Sequence, residues 1–319
     1  MKACVTALLL ACAASSAFGQ TYPTRPVRIV VPYVPGGGTD VMARRLAQEL
    51  TPKLGQSVFV ENIGGAGGNL GMRQVAQAAP DGHTLVLALT SQWAVNVSVF
   101  PKLPYDPVKD FEPISLGATS TTILVVNPAV PAKTVSELVA LVRANPGKYS
   151  YSSAGIGTQS HLAGEQFRLS LNLDIVHVPF NGGSPAVAAV VAGHTPISFT
   201  APTAAATQIE DGKVRGLAVT SHERWRALPG IVTMTEAGFG GIEGDSWVGF
   251  VAPAGTPKDV VGLLNREIVK AIAAPDIRDK LTVLGYEPVG STPQALGAQI
   301  KSDIVTWTRV IRSANIRIQ

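Results

Sequence analysis

Cysteine is nearly absent from this 319-residue sequence, and its two copies, Cys4 and Cys12, both lie close to the N-terminus. Both fall within an apolar segment, Ala3–Ala14, which follows a basic residue and precedes the small residues Ala17 and Gly19. This order is typical of a secretory signal peptide, and we place cleavage after Gly19, with Ala17 as the alternative. A mature chain beginning at residue 20 contains no cysteine, which excludes a disulfide, a thiol nucleophile and a thiolate metal site.

Concentrated charge and long apolar runs are also missing. The net charge is +4 and the pI about 9.1, but Lys and Arg are scattered and form no block. Nucleic-acid binding needs a concentrated basic face, so we expect no nucleic-acid partner. The apolar run near the N-terminus is too short for a transmembrane helix, and no later segment is long and apolar enough. Cys12 only faintly resembles a lipidation site. From the signal peptide we expect a chain that is exported to the periplasm.

Motifs for catalysis, metals and cofactors are absent as well. The five histidines are scattered and show no dense metal-ligand spacing, so we expect no metal. The glycines at Gly36–Gly38 miss the dinucleotide fingerprint, because Val41 stands where its last glycine belongs, and no Walker lysine follows. Ser153 lacks the Gly-x-Ser-x-Gly setting of a hydrolase nucleophile. We therefore expect neither a cofactor nor an enzyme.

What the sequence does contain is a strand, a glycine turn and a helix start within Val27–Asp40. The β-branched run from Val27 to Val31 suits a buried parallel strand. Bare backbone N–H groups before a helix favour an anion site. We expect Thr39 to cap the helix, and Asp40 to brace the loop rather than bind ligand.

Alternating strands and helices follow along the chain, which indicates an α/β protein with mostly parallel sheets. A proline-rich break after about residue 126 and a return near Asp245 suggest two lobes joined by two crossings. We predict a discontinuous first domain, 20–122 and 245–319, and a second domain, 123–244. Two lobes joined in this way can hinge around a ligand.

Ligands in open α/β sheets bind beyond the carboxyl ends of the strands. This rule places Tyr33–Thr39 and Thr90–Trp93 on one rim, and the small-residue loop Ser153–Thr158 on the second lobe. An indole at Trp93 fits stacking on a flat ligand as well as it fits a core position. His161 fits an anion contact less well than packing on its helix.

Six ordered segments carry a family resemblance: YPTRPVRIVVPYVPGGGTDVMARRLA, VFVENIGGAGGNLG, PDGHTLVL, LPYDPVKDFEPIS, YSSAGIGTQSHLAGE and VPFNGGSPAVAAVVAG. Together they span essentially the whole mature chain and resemble the Bug family, the substrate-binding components of tripartite tricarboxylate transporters. The resemblance implies a two-lobed, type II-like periplasmic-binding-protein fold. It also implies a protein that binds a small carboxylate in the interlobe cleft and delivers it to the transporter's membrane subunits.

The resemblance, together with the rim argument, defines the candidate ligand contacts. They are Tyr33, Gly36, Gly37, Gly38, Thr39, Thr90, Trp93, Ser153, Gly155, Gly157, Thr158, His161, Phe180, Asn181 and Gly182. Where the family often has an acidic or amide residue after a second-lobe strand, this chain has Thr200–Thr203, which disfavours an amino-group contact there. We expect a monomer that binds a di- or tricarboxylate or an aromatic carboxylate. A sensor that docks on a kinase ectodomain and a secreted α/β hydrolase are the alternatives.

Overall fold

The computed structural model describes residues 22–242 and 245–316, so the predicted signal peptide, residues 1–19, lies outside the described part of the chain. The described residues form two sheets. The strands are β1 Val27–Val31, β2 Val58–Asn62, β3 Thr84–Leu89, β4 Phe111–Ser120, β5 Ile123–Val126, β6 Tyr149–Ser153, β7 Ile175–Pro179, β8 Ile197–Thr200, β9 Arg215–Val219, β10 Ser246–Pro253 and β11 Glu287–Pro288. The first sheet has the order β11-β4-β10-β3-β1-β2 and the second the order β7-β6-β8-β5-β9.

Helices flank both sheets. They are α1 Gly38–Leu54, α2 Asn69–Ala76, α3 Asn96–Val99, α4 Val135–Arg143, α5 Gln159–Ser170, α6 Gly183–Val191, α7 Pro202–Glu210, α8 Lys258–Ile272, α9 Pro275–Val283 and α10 Pro293–Ser313. A 3₁₀ turn, Ala66–Gly68, precedes α2, and a π turn, Ser91–Val95, precedes α3. No helix in the described ranges is long and apolar enough to cross a membrane.

The sheets are mixed, which corrects the prediction of mostly parallel sheets. Among the described strands, β1 pairs in parallel with β2 and β3, and β6 does so with β7 and β8. The remaining pairs, which involve β4, β5, β9, β10 and β11, are antiparallel. The reason lies in the crossings between the lobes. Strand β4 leads directly into β5 of the second sheet, and β10 returns to the first sheet after β9. Neither connection contains the crossover helix that would make the next strand parallel to its neighbour.

Each face of the first sheet has its own core. Successive side chains of a strand point to opposite faces, so Ile29 packs with Met42 and Leu46 on one side. Val30 packs with Met72 and Trp93 on the other side. Burying each of these side chains contributes about 1.5–3 kcal/mol, which holds the helices on the sheet and fixes where their N-termini point.

The starts of two helices matter for the site. The N-cap of α1 is Gly37, while Thr39 is buried in the first turn, so Thr39 is not the cap that the sequence suggested. Gly182 precedes α6 in a similar way. Both caps are glycines without a side-chain hydrogen bond, which leaves bare backbone at each start. Helix α7 was not predicted, although Pro202 at its first position is a helix-start signal.

The C-terminal helix, α10, spans Pro293–Ser313. Thr292 caps it by accepting a hydrogen bond from the Ala295 N–H group at 3.2 Å. Its first half packs on the first lobe through Leu296 and Ile300. Its second half shares an apolar cluster with Leu162 of α5, so this helix joins the two lobes.

Candidate functional site

The carboxyl ends of the parallel strands from both sheets face the junction between the lobes. In the first sheet, the start of β10 pairs with the end of β3, with Val248 opposite Leu89. In the second sheet, Ile123, which begins β5, lies opposite Thr200, which ends β8. The two crossings therefore lie at the same edge as the strand ends, and the helices α1, α5 and α6 begin there.

The first-lobe loop is held by Asp40. Its Oδ2 accepts a hydrogen bond from the Gly36 N–H group at 2.9 Å, and its Oδ1 accepts one from Asn62 at 2.9 Å. Burial alone would raise the pKa of Asp40, but the hydrogen bonds from Arg44, Gly36 and Asn62 outweigh it and lower that pKa. Asp40 thus braces the loop, as the sequence suggested, and the Gly36 N–H group is already used within it.

The donors that remain in this loop belong to the start of α1. The first N–H groups of a helix have no intrahelical partner and carry a partial positive charge. Gly37 and Gly38 place these groups beside an exposed stretch, where Val34 is 74% exposed. A β-carbon at Gly37 would meet nothing within 4 Å, so the space in front of the helix start is open.

The hydroxyl of Tyr33 is engaged within the first lobe and is not directed at the cleft. The phenol oxygen accepts a hydrogen bond from the Leu89 N–H group at 3.0 Å and forms a very short contact with Gln92 Oε1. Burial raises the pKa of Tyr33 well above its ordinary value, so the phenol stays neutral. Tyr33 fixes the loop to the end of β3 instead.

Thr90 and Trp93 lie in the interior of the first lobe rather than on its rim. The Trp93 indole is fully buried, stacks on Trp247 at 6.5 Å and donates to the Ala88 carbonyl at 3.2 Å. Thr90 is also buried, and its Oγ1 accepts a hydrogen bond from the Trp247 N–H group at 2.8 Å. Neither side chain reaches the cleft, and Trp93 takes the core position that the sequence left open.

In the second lobe, Ser153 is also buried, so it is not the exposed donor that the sequence suggested. Its Oγ is 2.7 Å from His177 Nε2 and accepts a hydrogen bond from the Gly155 N–H group at 3.2 Å. The His161 ring stacks on His177 at 3.9 Å, and its Nδ1 accepts a hydrogen bond from the Gly157 N–H group at 3.0 Å. By accepting hydrogen bonds from Gly155 and Gly157, the buried side chains of Ser153 and His161 fix the conformation of this glycine loop.

The predicted donors Gly155 and Gly157 are therefore used inside their own loop. Thr158 is the N-cap of α5 and accepts a hydrogen bond from the His161 N–H group at 3.4 Å. The N–H group of Ser160, in the first turn of α5, remains for an external acceptor. Ile156 between the two glycines is 57% exposed and supplies an apolar surface that the sequence reading missed.

The start of α6 forms the third part of the site. Asn181 is exposed, and Phe180 and Gly182 are partly exposed. A β-carbon at Gly183 would lie 3.0 Å from Thr200 Oγ1, which shows how closely the backbone approaches the end of β8. Thr200 Oγ1 is buried and has no hydrogen-bond partner among the described residues. Phe180, Asn181 and Gly182 therefore lie at the exposed start of α6, and their contact with a ligand stays a prediction.

Tyr286 is a residue at this edge that the sequence reading missed. Its hydroxyl is 3.5 Å from Thr39 Oγ1, and a β-carbon at Gly38 would meet its ring at 2.8 Å. The next residue, Glu287, forms an interlobe ion pair with Arg226 at 3.4 Å. A tertiary contact across almost 250 residues places Tyr286 beside the α1 start. No local sequence pattern predicts this contact.

Acidification is expected to destabilise the protein through His161. Burial, and then the neighbouring His177, lower the pKa of His161 from 6.5 to about 4, while Glu165 opposes the shift. Between these values the unfolded chain binds a proton that the folded chain does not, so the stability present above pH 6.5 is lost as the pH falls towards 4. The loss is about 3 kcal/mol at most.

Urea unfolding at several pH values between 7 and 4.5 measures this effect. The variant His161→Gln should show a flatter pH dependence than the parent, since it removes this titration. The matched variant His194→Gln, at an exposed histidine, should keep the parental profile. Equal slopes for His161→Gln and the parent would show that His161 does not titrate in this range.

This arrangement defines a class of protein: two α/β lobes joined by two crossings, with helix N-termini from both lobes directed at the junction. Among the described residues, no group of His, Cys, Asp or Glu could hold a metal ion. The site therefore provides backbone donors on two opposed walls, which is the construction of a two-lobed ligand-binding protein.

Comparison with known proteins identifies the family. Residues 42–316 match the family described as tripartite tricarboxylate transporter family receptor. A protein encoded between tcbD and tcbE in Pseudomonas sp. (strain P51) is 40% identical over 293 residues, which is 92% of this chain and 87% of that protein. Protein BugT of Bordetella pertussis is 35% identical, covering 94% of this chain and 92% of BugT. The chain belongs to this receptor family, the Bug family, whose members are substrate-binding proteins and not enzymes.

Solved structures of similar chains share the fold. A Rhodopseudomonas palustris protein with adipate is 32% identical, with a TM-score of 0.74, covering 93% of this chain and all of that one. MatC from the same organism, with bound malate, is 34% identical, with a TM-score of 0.70, covering 91% of this chain and all of MatC. The two-lobed periplasmic-binding-protein fold expected from the sequence is thereby confirmed.

Proposed function

We propose that this receptor captures a small carboxylate between the starts of α1, α5 and α6 and delivers it to the membrane subunits of a tripartite transporter. The observation that supports this most directly is the convergence of these helix N-termini on one edge from both lobes. Helix N-termini favour anions, and the backbone there is bare. Two similar chains hold adipate and malate, which are dicarboxylates.

The number of backbone N–H donors is sufficient for micromolar binding of a carboxylate. A hydrogen bond to a charged group contributes about 1.5–3 kcal/mol, and micromolar binding requires about 8 kcal/mol. The N–H groups at Gly37 and Gly38 on one wall, and at Ser160 and the start of α6 on the other, reach this value after ordering costs. The exposed Val34 and Ile156 add apolar surface that suits the carbon chain of a dicarboxylate.

Binding by both walls couples the ligand to lobe movement. Only a closed arrangement lets donors of both lobes reach the same molecule, so the ligand shifts the population towards closure. We place the lobes at 20–122 with 245–319 and at 123–244, because β4 ends at Ser120 and β5 begins at Ile123. The transporter's membrane subunits would then recognise the closed form. Residues 1–19 would direct export to the periplasm, where such a receptor works.

A thermal-shift screen of dicarboxylates, tricarboxylates and aromatic carboxylates tests the proposal. We expect at least one acid to raise the melting temperature in a saturable manner, while its neutral diamide does not, because the helix N-termini select negative charge. A shift of equal size with the diamide, or no shift across the acids, would contradict a carboxylate receptor.

A further inference from the structure

A cavity lies beside the crossings, and its lining does not include the glycine loops. It has a volume of about 720 Å³ and is lined by both lobes, with Thr119, Gln166, Thr220, Trp247, Asp303 and Arg309 among its walls. We call it the hinge groove. Its volume is within the range of about 300–1,000 Å³ that is typical of small-molecule sites.

The sheet order separates the hinge groove from the carboxylate cleft. The cleft loops follow β1, β6 and β7, on one side of the crossing strands β10 and β5. The groove instead borders β4 and the end of β9, which lie on the other side of those strands. Leu162 on α5 and Trp307 on α10 belong to one apolar cluster, and Trp307 also lines the groove. The residues that line the groove include none from the α1 start, so a molecule in the groove does not touch that start.

Asp303 gives the groove a partly buried negative charge. Its Oδ2 accepts a hydrogen bond from Trp247 Nε1 at 2.6 Å, and its Oδ1 accepts one from Gln299 Nε2 at 2.9 Å. Among the described residues it has no ion-pair partner. Burial raises the pKa of Asp303 above its ordinary value, against the effect of these hydrogen bonds, so its charge is incompletely compensated.

Gln166, on α5 of the second lobe, adds an unused acceptor to the lining of the groove. Its side chain is only 7% exposed, and its Nε2 donates to the Gly241 carbonyl at 2.9 Å. The second amide atom, Oε1, is buried without any hydrogen-bond partner in the described ranges. A buried unpaired acceptor costs about 1–3 kcal/mol, and a ligand that donates a hydrogen bond removes this cost.

We propose that the hinge groove is a second site, which binds a small organic ammonium ion with Asp303 as its counter-ion and Gln166 Oε1 as its acceptor. An ammonium group has three N–H donors and a full positive charge, which matches a carboxylate and an amide oxygen. The lining also contains Asp245, His222 and Arg309, and the guanidinium of Arg309 disfavours polycations. The ligand class is therefore a small singly charged amine with a neutral polar portion.

Titration of the full chain with protonated ethanolamine at pH 7, followed by calorimetry at constant ionic strength, tests the site. We expect saturable binding, whereas the neutral isostere ethylene glycol should bind at least about tenfold more weakly, in keeping with the loss of a charge-assisted hydrogen bond. Absence of saturable ethanolamine binding, or equal binding of ethylene glycol, would overturn the proposal.

Variants locate the bound amine. Asp303→Asn keeps an oxygen for the Trp247 indole but removes the charge, and should weaken ethanolamine binding at least about tenfold. If this variant does not fold, Gln166→Met, which removes the acceptor, replaces it with the same expectation. Asp279→Asn removes an exposed carboxylate on α9 as a matched control and should bind as the parent does. Unchanged binding in the folded groove variant would refute the assignment.

The carboxylate cleft is tested separately from the groove. Gly37→Val, which fills the space before α1, should bind ethanolamine as tightly as the parent, because the groove does not include that residue. Loss of ethanolamine binding in Gly37→Val would place the amine in the cleft and overturn the proposal. The thermal shift by carboxylates remains a test of the receptor function alone, whichever result the amine gives.

Discussion

Gly37→Val is expected to abolish the carboxylate-induced thermal shift, while the ligand-free protein loses no more than the about 0.5–2 kcal/mol that a poorer N-cap residue costs. A β-carbon at Gly37 would meet no atom within 4 Å, and its backbone angles, φ −73° and ψ 163°, are extended and suit valine. The new isopropyl group would occupy the open space where the α1 donors meet the ligand. We expect affinity to fall at least about hundredfold, or about 2.7 kcal/mol.

Gly230→Val is the matched control for this prediction. Gly230 is exposed in a second-lobe loop, and a β-carbon there would also meet nothing within 4 Å. It should retain the parental carboxylate affinity, as measured by calorimetry with the best acid from the screen. If Gly37→Val bound that acid as tightly as Gly230→Val does, the α1 start would not be part of the site.

Trp93→Ala is expected to lower the free energy of unfolding by about 3–5 kcal/mol, as large-to-small replacements of buried aromatic residues do. The change removes the contacts of Trp93 with Phe111 and Trp247 and its hydrogen bond to the Ala88 carbonyl. Urea unfolding measures it. At temperatures where the variant is folded, carboxylate affinity should change little, because the indole does not face the cleft.

Val34→Ala is the contrasting variant, since Val34 is mostly exposed on the rim. It should leave the unfolding free energy within about 0.5 kcal/mol of the parent, as surface substitutions usually do. A Trp93→Ala protein of parental stability that no longer bound carboxylate would show that this indole contacts the ligand instead of filling the core.

Much of the fold could be predicted from the sequence, because local signals such as helix caps and apolar stripes agree with the tertiary structure. The α10 boundaries follow from a cap at Thr292, a proline at the first helical position and a continuous apolar stripe. The sheet direction was less accessible, since the crossings place β4 and β10 antiparallel to their neighbours. Nothing in a short β-branched run tells which way its partner strand runs.

The loops that form the site could be predicted from the sequence, but the individual hydrogen-bonding atoms could be predicted less well. The Ser153 hydroxyl is engaged by His177, 24 residues away, and the Tyr33 hydroxyl by Gln92, 59 residues away. Such partners are set by the packing of strands and helices, which local sequence does not encode. The approximate positions of the helix starts were predictable, because the glycines that leave the backbone bare are visible in the chain, although the cap residue of α1 was not. Most of the predicted side-chain donors prove to be supports, and the backbone supplies the candidate contacts.

The role of the ligand in closing the lobes is the central claim, and small-angle X-ray scattering tests it most directly. The radius of gyration should decrease when the parent protein is saturated with the acid identified by the thermal-shift screen, because only closure brings the donors of α1, α5 and α6 onto one molecule. The Gly37→Val protein should keep its ligand-free radius at the same acid concentration. An unchanged radius for the parent at saturation, with binding verified by calorimetry, would contradict capture by two closing lobes.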